Sequence, residues 1–374
     1  MNVIAFYLPQ FHEIPENNEW WGKGFTEWVN VKNATPLFKG HNQPRIPLGK
    51  NYYDLLNNDT IKWQVKIAKE NGITGFCFYH YWFNGKLLLE KPVENFLKDS
   101  EIDIDFCISW ANETWTKAWA GKQDSVLIKQ EYGGPKEWKE HFDYLYQFFK
   151  DKRYIKEDGK PLLIIYRPDL IPNLNEMLDC WNQLAISYGL NGMTFAYQHV
   201  SFYLLPQKDD SRFQYYIQYQ PGFIRAVQDK CSTSNRIRRL IVKFLKSIES
   251  LFRIELRDVM PQKPRIFDYN ETWEKILSIK PDEKSLPGAF VDWDNTPRRK
   301  NRGMIYCDST PESFHKYFSR LVKKTVEEYK KNYIFIFAWN EWAEGGYLEP
   351  DEKYQFGYLN AVKESLKENS INND

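Results

Sequence analysis

Two glutamates three positions apart, Glu341 and Glu344, stand in the run Trp339-Asn340-Glu341-Trp342-Ala343-Glu344-Gly345-Gly346. If the backbone turns helically after Asn340, both side chains fall on one face with Cβ atoms roughly 5–6 Å apart. That is close to the ~5–5.5 Å separating the carboxyl groups of retaining glycosidases. Carboxyls this near titrate as a pair, so one keeps a proton near neutral pH and can act as an acid while the other acts as a base. Two surface glutamates on a solvated loop would show the same spacing. Against that reading stand the flanking Trp339 and Trp342, and the apolar run from Tyr333 to Ala338, which has the pattern of a strand buried on both faces.

Glu113, in Ser109-Trp110-Ala111-Asn112-Glu113-Thr114-Trp115, offers a rival. An Asn-Glu pair at a strand end resembles the placement of the acid/base in many retaining glycosidases, which makes Glu113 with Glu341 an alternative pair. A subsite role, hydrogen-bonding sugar hydroxyls, is the other reading of Glu113. Asp292-Trp293-Asp294 and Asp103 with Asp105 each form a D-x-D of the kind metal-dependent glycosyltransferases use; the first fits sugar binding better. His12, His80 and His199 follow three separate strands without local ligand spacing, so hydrogen-bonding roles are expected and no metal or cofactor is assigned. No G-x-G-x-x-G or phosphate loop follows a strand, and no nucleophile elbow or Cys-His signature is present.

Short apolar runs predict strands at about 3–8, 73–79, 104–110, 161–166, 193–197, 214–219, 288–293 and 333–339. Helical patterns fall at about 59–71, 92–98, 135–150, 173–188, 235–257, 311–331 and 355–368, the fifth connection showing none. This alternation favours a single (β/α)8 TIM barrel spanning 1–374, with long loop insertions at the carboxyl face, about 12–57 and 222–286. In that fold all strand ends converge on one rim, where active sites lie. The residues expected to bind substrate there are Tyr7 and His12; His80, Tyr81 and Trp82; Trp110, Asn112 and Glu113; Arg167; Tyr197 and His199; Asp292, Trp293 and Asp294; and Trp339, Asn340 and Trp342. Trp28 joins them from the first insertion, whose stretch Glu19 to Trp28 is expected either to fold over the rim or to plug the barrel mouth.

Lys plus Arg number 51 and Asp plus Glu 50, so no net field draws the protein to nucleic acid. Aromatic residues make up 17%, enough to line a sugar cleft with stacking platforms, although large cores use aromatics too. Five cysteines without paired spacing point to a reducing compartment. Met1-Asn2 leads into Val3-Ile4-Ala5-Phe6 with no basic or cleavable leader, and no run is long enough to span a bilayer, so a cytoplasmic location is expected. Residues 235–256 alternate apolar positions with Arg236, Arg238, Arg239, Lys243, Lys246 and Arg253. Such a helix either packs on the barrel or makes peripheral contact with an anionic membrane, where it could dock a lipid-linked glycan.

Four runs carry a resemblance: AFYLPQFHEIPENNEWWGKGFTEWVNV near the start, GFCFYHYWF from Gly75, SWANETW from Ser109 and FAWNEWAEGGYLEPD from Phe337. Together, over about residues 2–365, the chain resembles the WbsX-like domain of bacterial polysaccharide-biosynthesis clusters, which is related to the family 99 glycoside hydrolases, the endo-α-mannosidases. The resemblance implies a (β/α)8 barrel, no metal, and retaining cleavage through participation of the sugar's own 2-hydroxyl. It assigns Glu341 as the base for that hydroxyl and Glu344 as acid, then base. It also implies an oligosaccharide or polysaccharide substrate of the O-antigen or capsule type. Two other functions stay open: glycosyl transfer in the same biosynthesis, and a non-catalytic glycan-binding barrel.

Overall fold

A computed structural model describes residues 1–117, 125–200, 209–231 and 263–371. The basic helix expected at 235–256 lies outside the described residues. Eight parallel strand positions form a barrel: β1 Asn2–Tyr7, β2 Gly75–Phe83, β3 Asp105–Trp110, β4 Lys160–Ile165, β5 Thr194–His199, β6 Tyr215–Gln218, β7 in two pieces at Ser285–Leu286 and Gly288–Phe290, and β8 Tyr333–Phe337. Every strand predicted from the sequence is present within a few residues.

The seam closes at β7. Its first piece pairs with β6 (Ile217 opposite Leu286), its second with β8 (Ala289 opposite Ile336). Pro287 separates the pieces; it has no N–H to donate to a ladder, and its carbonyl accepts from Phe335 N instead. Gly288 is required by close approach, because a Cβ there would lie 1.8 Å from the carbonyl oxygen of Gln218.

Helices Asn58–Glu70, Lys91–Lys98, Pro135–Phe149, Leu174–Ser187, Pro311–Lys324 and Gly357–Ile371 pack outside the strands, close to the predicted positions. The helix that serves β6 on the barrel wall is Tyr269–Ser278, capped by Asp268 and burying Tyr269, Trp273 and Ile276. This helix falls within about 222–286, the stretch expected to be an insertion. Trp273 stacks flat on Tyr317 and Phe290, fixing that helix against its neighbour and the strand beneath.

Side chains alternate across each strand. In β2, Phe76, Phe78, His80 and Trp82 face the outer helices, contacting Tyr7, Phe96 and His141, while Tyr79 faces the barrel interior beside Phe6. Phe6, Phe335, Phe337 and Tyr219 meet across the interior at ring separations of 5.1–5.8 Å, so the barrel is a packed core with its opening above.

Candidate active site

The turn that carries both glutamates is built to hold one shape. After β8, Asn340–Glu341 pairs antiparallel with Gly346–Tyr347, and Trp342–Glu344 makes a single helical turn between them. Gly345 ends the turn at φ +69, where a Cβ would also meet the Asp294 backbone nitrogen at 2.7 Å. That nitrogen donates to Glu344 O at 2.8 Å.

Two layers of side chains brace the turn from outside. Glu349 accepts from Trp342 Nε1 at 2.6 Å, Tyr53 Oη at 2.8 Å and Gln64 Nε2 at 2.6 Å, and Tyr7 Oη donates to Gln64 Oε1. Asn340 bonds both Leu8 N and Leu8 O. From the first insertion, Arg45 pairs with Asp292 at 2.8 Å and reaches Gly345 O at 3.3 Å, while His41 and Gln43 hold Asp294.

Held this way, Glu341 and Glu344 open into a cleft of about 290 Å³ at the carboxyl end of the barrel. Its floor is Tyr79, Tyr81, Tyr166 and Tyr219, with Tyr79 and Tyr219 hydroxyls 2.7 Å apart. Trp21 and Phe25 from the first insertion form one wall and Trp115 with Leu127 another. Arg298 lies between three carboxyls: Nη1 donates to Glu344 at 2.7 Å, Nη2 lies 3.4 Å from Glu341, and Nε donates to Glu27 at 3.1 Å. Burial pushes the Glu341 carboxyl up to about 8; Arg298 opposes this, and the negative charges of Glu344 and Glu27 reinforce it.

Of the residues expected from sequence, Glu341, Glu344, Tyr81 and Glu113 line this cleft. Glu113 is on the far wall, raised by burial and paired with Arg167, which also holds Asp169. The remaining candidates are not among the residues lining this cleft, and most are turned outward by strand alternation or buried under the loops. His80 meets His141 at 2.9 Å, and burial drops its pKa to about 3. Trp82 stacks on His141, and Trp110 donates to Trp82 O. Tyr197 and His199 pack on Tyr216, the latter also on Phe223. Asn112 stitches β3 to β4 through both the N and O of Arg167. Tyr7, Asn340 and Trp342 brace the turn, and Trp28 packs on Trp342 and donates to Tyr53 O. Asp292 and Asp294 belong to the Arg45 clamp, Trp293 packs on Phe337, Trp339 on Phe76, and His12 is buried beneath the rim. The second D-x-D is split: Asp103 pairs with Lys69 before β3, away from the carboxyl ends.

Gln10, Tyr79, Tyr166 and Tyr219, from strand ends expected to converge on the rim, also line the cleft, as do Glu27, from the stretch expected to fold over the rim, and Arg298. Alternation from Tyr81 and Glu113 would have found Tyr79 and excluded His80, Trp82 and Trp110. Glu27 and Arg298 sit on short helices outside the barrel strands, Glu27–Lys32 and Thr296–Arg299, too short to set a period.

Among the described residues no group of three or more His, Cys, Asp or Glu is arranged to hold a metal, and no helix is long and apolar enough to cross a membrane. The profile of a family described as Glycosyltransferase WbsX matches residues 3–362. Proteins named WxcX from two strains of Xanthomonas campestris pv. campestris, both described as uncharacterized, are 35% identical over 366 residues, covering 97% of this chain and 49% of their own. The chain thus spans about half the length of the curated relatives it matches. The GH99 endo-alpha-mannosidase from Bacteroides thetaiotaomicron, solved with bis-tris-propane, superposes with a TM-score of 0.54 at 13% identity, covering 99% of this chain and 97% of that one. A structure described as a glycoside hydrolase-like protein gives 0.56 at 15% identity, covering 97% and 93%. At these identities the likeness establishes the TIM-barrel fold. The family match spans nearly the whole sequence, and this chain belongs to the WbsX family.

Proposed function

We propose that the chain is a retaining, glycosidic-bond enzyme acting on an oligosaccharide of a bacterial surface polysaccharide. One observation carries this: Glu341 and Glu344 share one guanidinium at the base of an open, aromatic-walled cleft at the barrel's carboxyl end. In the reaction, Glu341 as carboxylate takes the proton of the sugar 2-hydroxyl, whose oxygen attacks the anomeric carbon. Glu344 gives its proton to the departing glycosidic oxygen. Glu344, now a carboxylate, then takes a proton from the incoming hydroxyl that opens the 1,2-anhydro sugar, and Glu341 returns the proton to O2. Two inversions give net retention.

The chemistry needs one proton on the pair. In the empty cleft burial favours it on Glu341, and a 2-hydroxyl donating to Glu341 favours its transfer to Glu344. Trp21, Phe25 and Trp115 offer the faces on which sugar rings stack.

The family's description favours a second version of the same chemistry, in which the incoming hydroxyl belongs to another sugar. Free thiols at Cys77, Cys107, Cys180 and Cys307 support a cytoplasmic setting. A lipid-linked glycan docked through 235–256 belongs to the proposal; its test is loss of liposome binding when Arg236, Arg238 and Arg239 become Glu. The function itself is tested with glycosyl fluorides in the manno and other configurations, with and without sugar acceptors, following products by mass spectrometry. Release of a sugar with retained configuration, or its transfer to the acceptor, supports the reading. Binding of glycans with no turnover of any fluoride points to the non-catalytic barrel.

A further inference from the structure

Resting on that reading, we propose that Glu27 and Arg298 form a proton-setting pair: Glu27 engages Arg298 so that the Glu341–Glu344 pair keeps one proton at neutral pH. Glu27 belongs to helix Glu27–Lys32 of the first insertion, and Arg298 to the one-turn helix Thr296–Arg299 that follows the Asp292–Asp294 loop. Glu27 is 4% exposed. It meets Arg298 through both Nε and Nη2 at 3.1 Å, and Asn30 reaches the same carboxylate oxygen at 3.5 Å.

The argument is one of charge. Three carboxyls face one guanidinium in a site where burial makes each unpaired charge costly. With all of them ionised, two negative charges are left over, so the cluster holds a proton. Were Glu27 neutral, Arg298 would face two carboxyls with one negative charge left over, and the proton would leave at lower pH. Were Arg298 absent, three carboxyls would have no cation, and the proton would be held more tightly. The other groups facing Glu341 are Tyr79 and Tyr81 of β2, Tyr166 after β4 and Tyr219 after β6, with Arg299 at the cleft edge. Burial holds the four hydroxyls protonated, leaving Glu27, Glu344 and Arg298 as the charges closest to Glu341. Glu27 is bonded to Arg298 and to neither Glu341 nor Glu344, so it acts as a positioning residue through Arg298.

The test needs no substrate. Protein labelled with 13C at the glutamate carboxyl carbon is titrated by NMR, and the Glu341 signal is the one missing in Glu341→Gln. Glu27→Gln, an isosteric change, should lower its midpoint by about one pH unit, and Arg298→Met should raise it by about one or more. A structural role for the pair would not move the midpoint in opposite directions. An unmoved or raised midpoint in Glu27→Gln overturns the proposal, as does movement of both variants in one direction. If Arg298→Met fails to fold by near-UV circular dichroism, the sign in Glu27→Gln decides alone. The titration also separates this proposal from the reading it rests on. A lowered midpoint with no glycosidic turnover keeps the proton-setting pair and removes the function; turnover with an unmoved midpoint does the reverse.

Discussion

Glu341 and Glu349 lie on one short segment, both are buried, and burial raises both carboxyls, to about 8 and about 7. Their surroundings differ in kind. Glu349 is closed in by three neutral donors, Trp342, Tyr53 and Gln64, each spent on it. Glu341 borders open cleft and shares a single cation with two other carboxyls. A raised pKa therefore does not identify the reactive carboxyl; what separates the two is free space beside the group and a partner left under-neutralised.

The comparison breaks most visibly in rate. Glu341→Gln and Glu344→Gln should each lose about 10²- to 10⁴-fold or more in kcat/KM while remaining folded. Glu349→Gln should instead show its effect in urea denaturation, by about 1–3 kcal/mol, because an amide NH2 replaces a carboxylate oxygen that accepts from the donors Trp342, Tyr53 and Gln64. A Glu349 variant of normal stability with a rate as low as that of Glu341→Gln would erase the distinction.

A smaller effect is pH-dependent. Folding raises the Glu341 pKa above an unfolded value of about 4.3, so its contribution is fully present below about pH 4.3 and declines as the pH rises toward about 8. Glu341→Gln removes that decline, and its stability should gain on the wild type steadily across this window. A stability difference independent of pH would mean that Glu341 is not held protonated by the fold. In the rate profile the same proton sets the alkaline limb near the same pH.

The smallest contrast is between neighbours on β2. Tyr81→Ala should raise KM, whereas His80→Leu, on the opposite face, should leave kcat/KM unchanged and alter only stability. A KM change in His80→Leu would show that the outward face reaches substrate.

These contrasts also mark how far the sequence could be read. The strands were legible because buried runs such as Gly75 to Phe83 have few alternative conformations, and the site was legible because Trp-Asn-Glu-Trp interrupts one of them. The polar strand ends were over-read: His80, Trp82, Trp110, Tyr197 and His199 have rim-like types, but the pleat sends them to the helices. Trp342 and Asn340 looked like ligand contacts and instead bond Glu349 and Leu8. Glu27 and Arg298 meet only through tertiary contact of two short helices distant in sequence, and local pattern carries no trace of that.

The central claim, that Glu344 is the acid and Glu341 the base, is tested most directly by leaving-group dependence. Folded Glu344→Gln and Glu341→Gln are compared on an aryl glycoside with a poor leaving group and on the fluoride of the same sugar, which needs no proton to depart. The account predicts that Glu344→Gln is severely slowed on the aryl substrate and much less on the fluoride, whereas Glu341→Gln is slowed equally on both. Equal losses for Glu344→Gln on the two substrates, or near-full activity on the natural glycan, would contradict it, and rescue by fluoride in Glu113→Gln would move the acid role across the cleft.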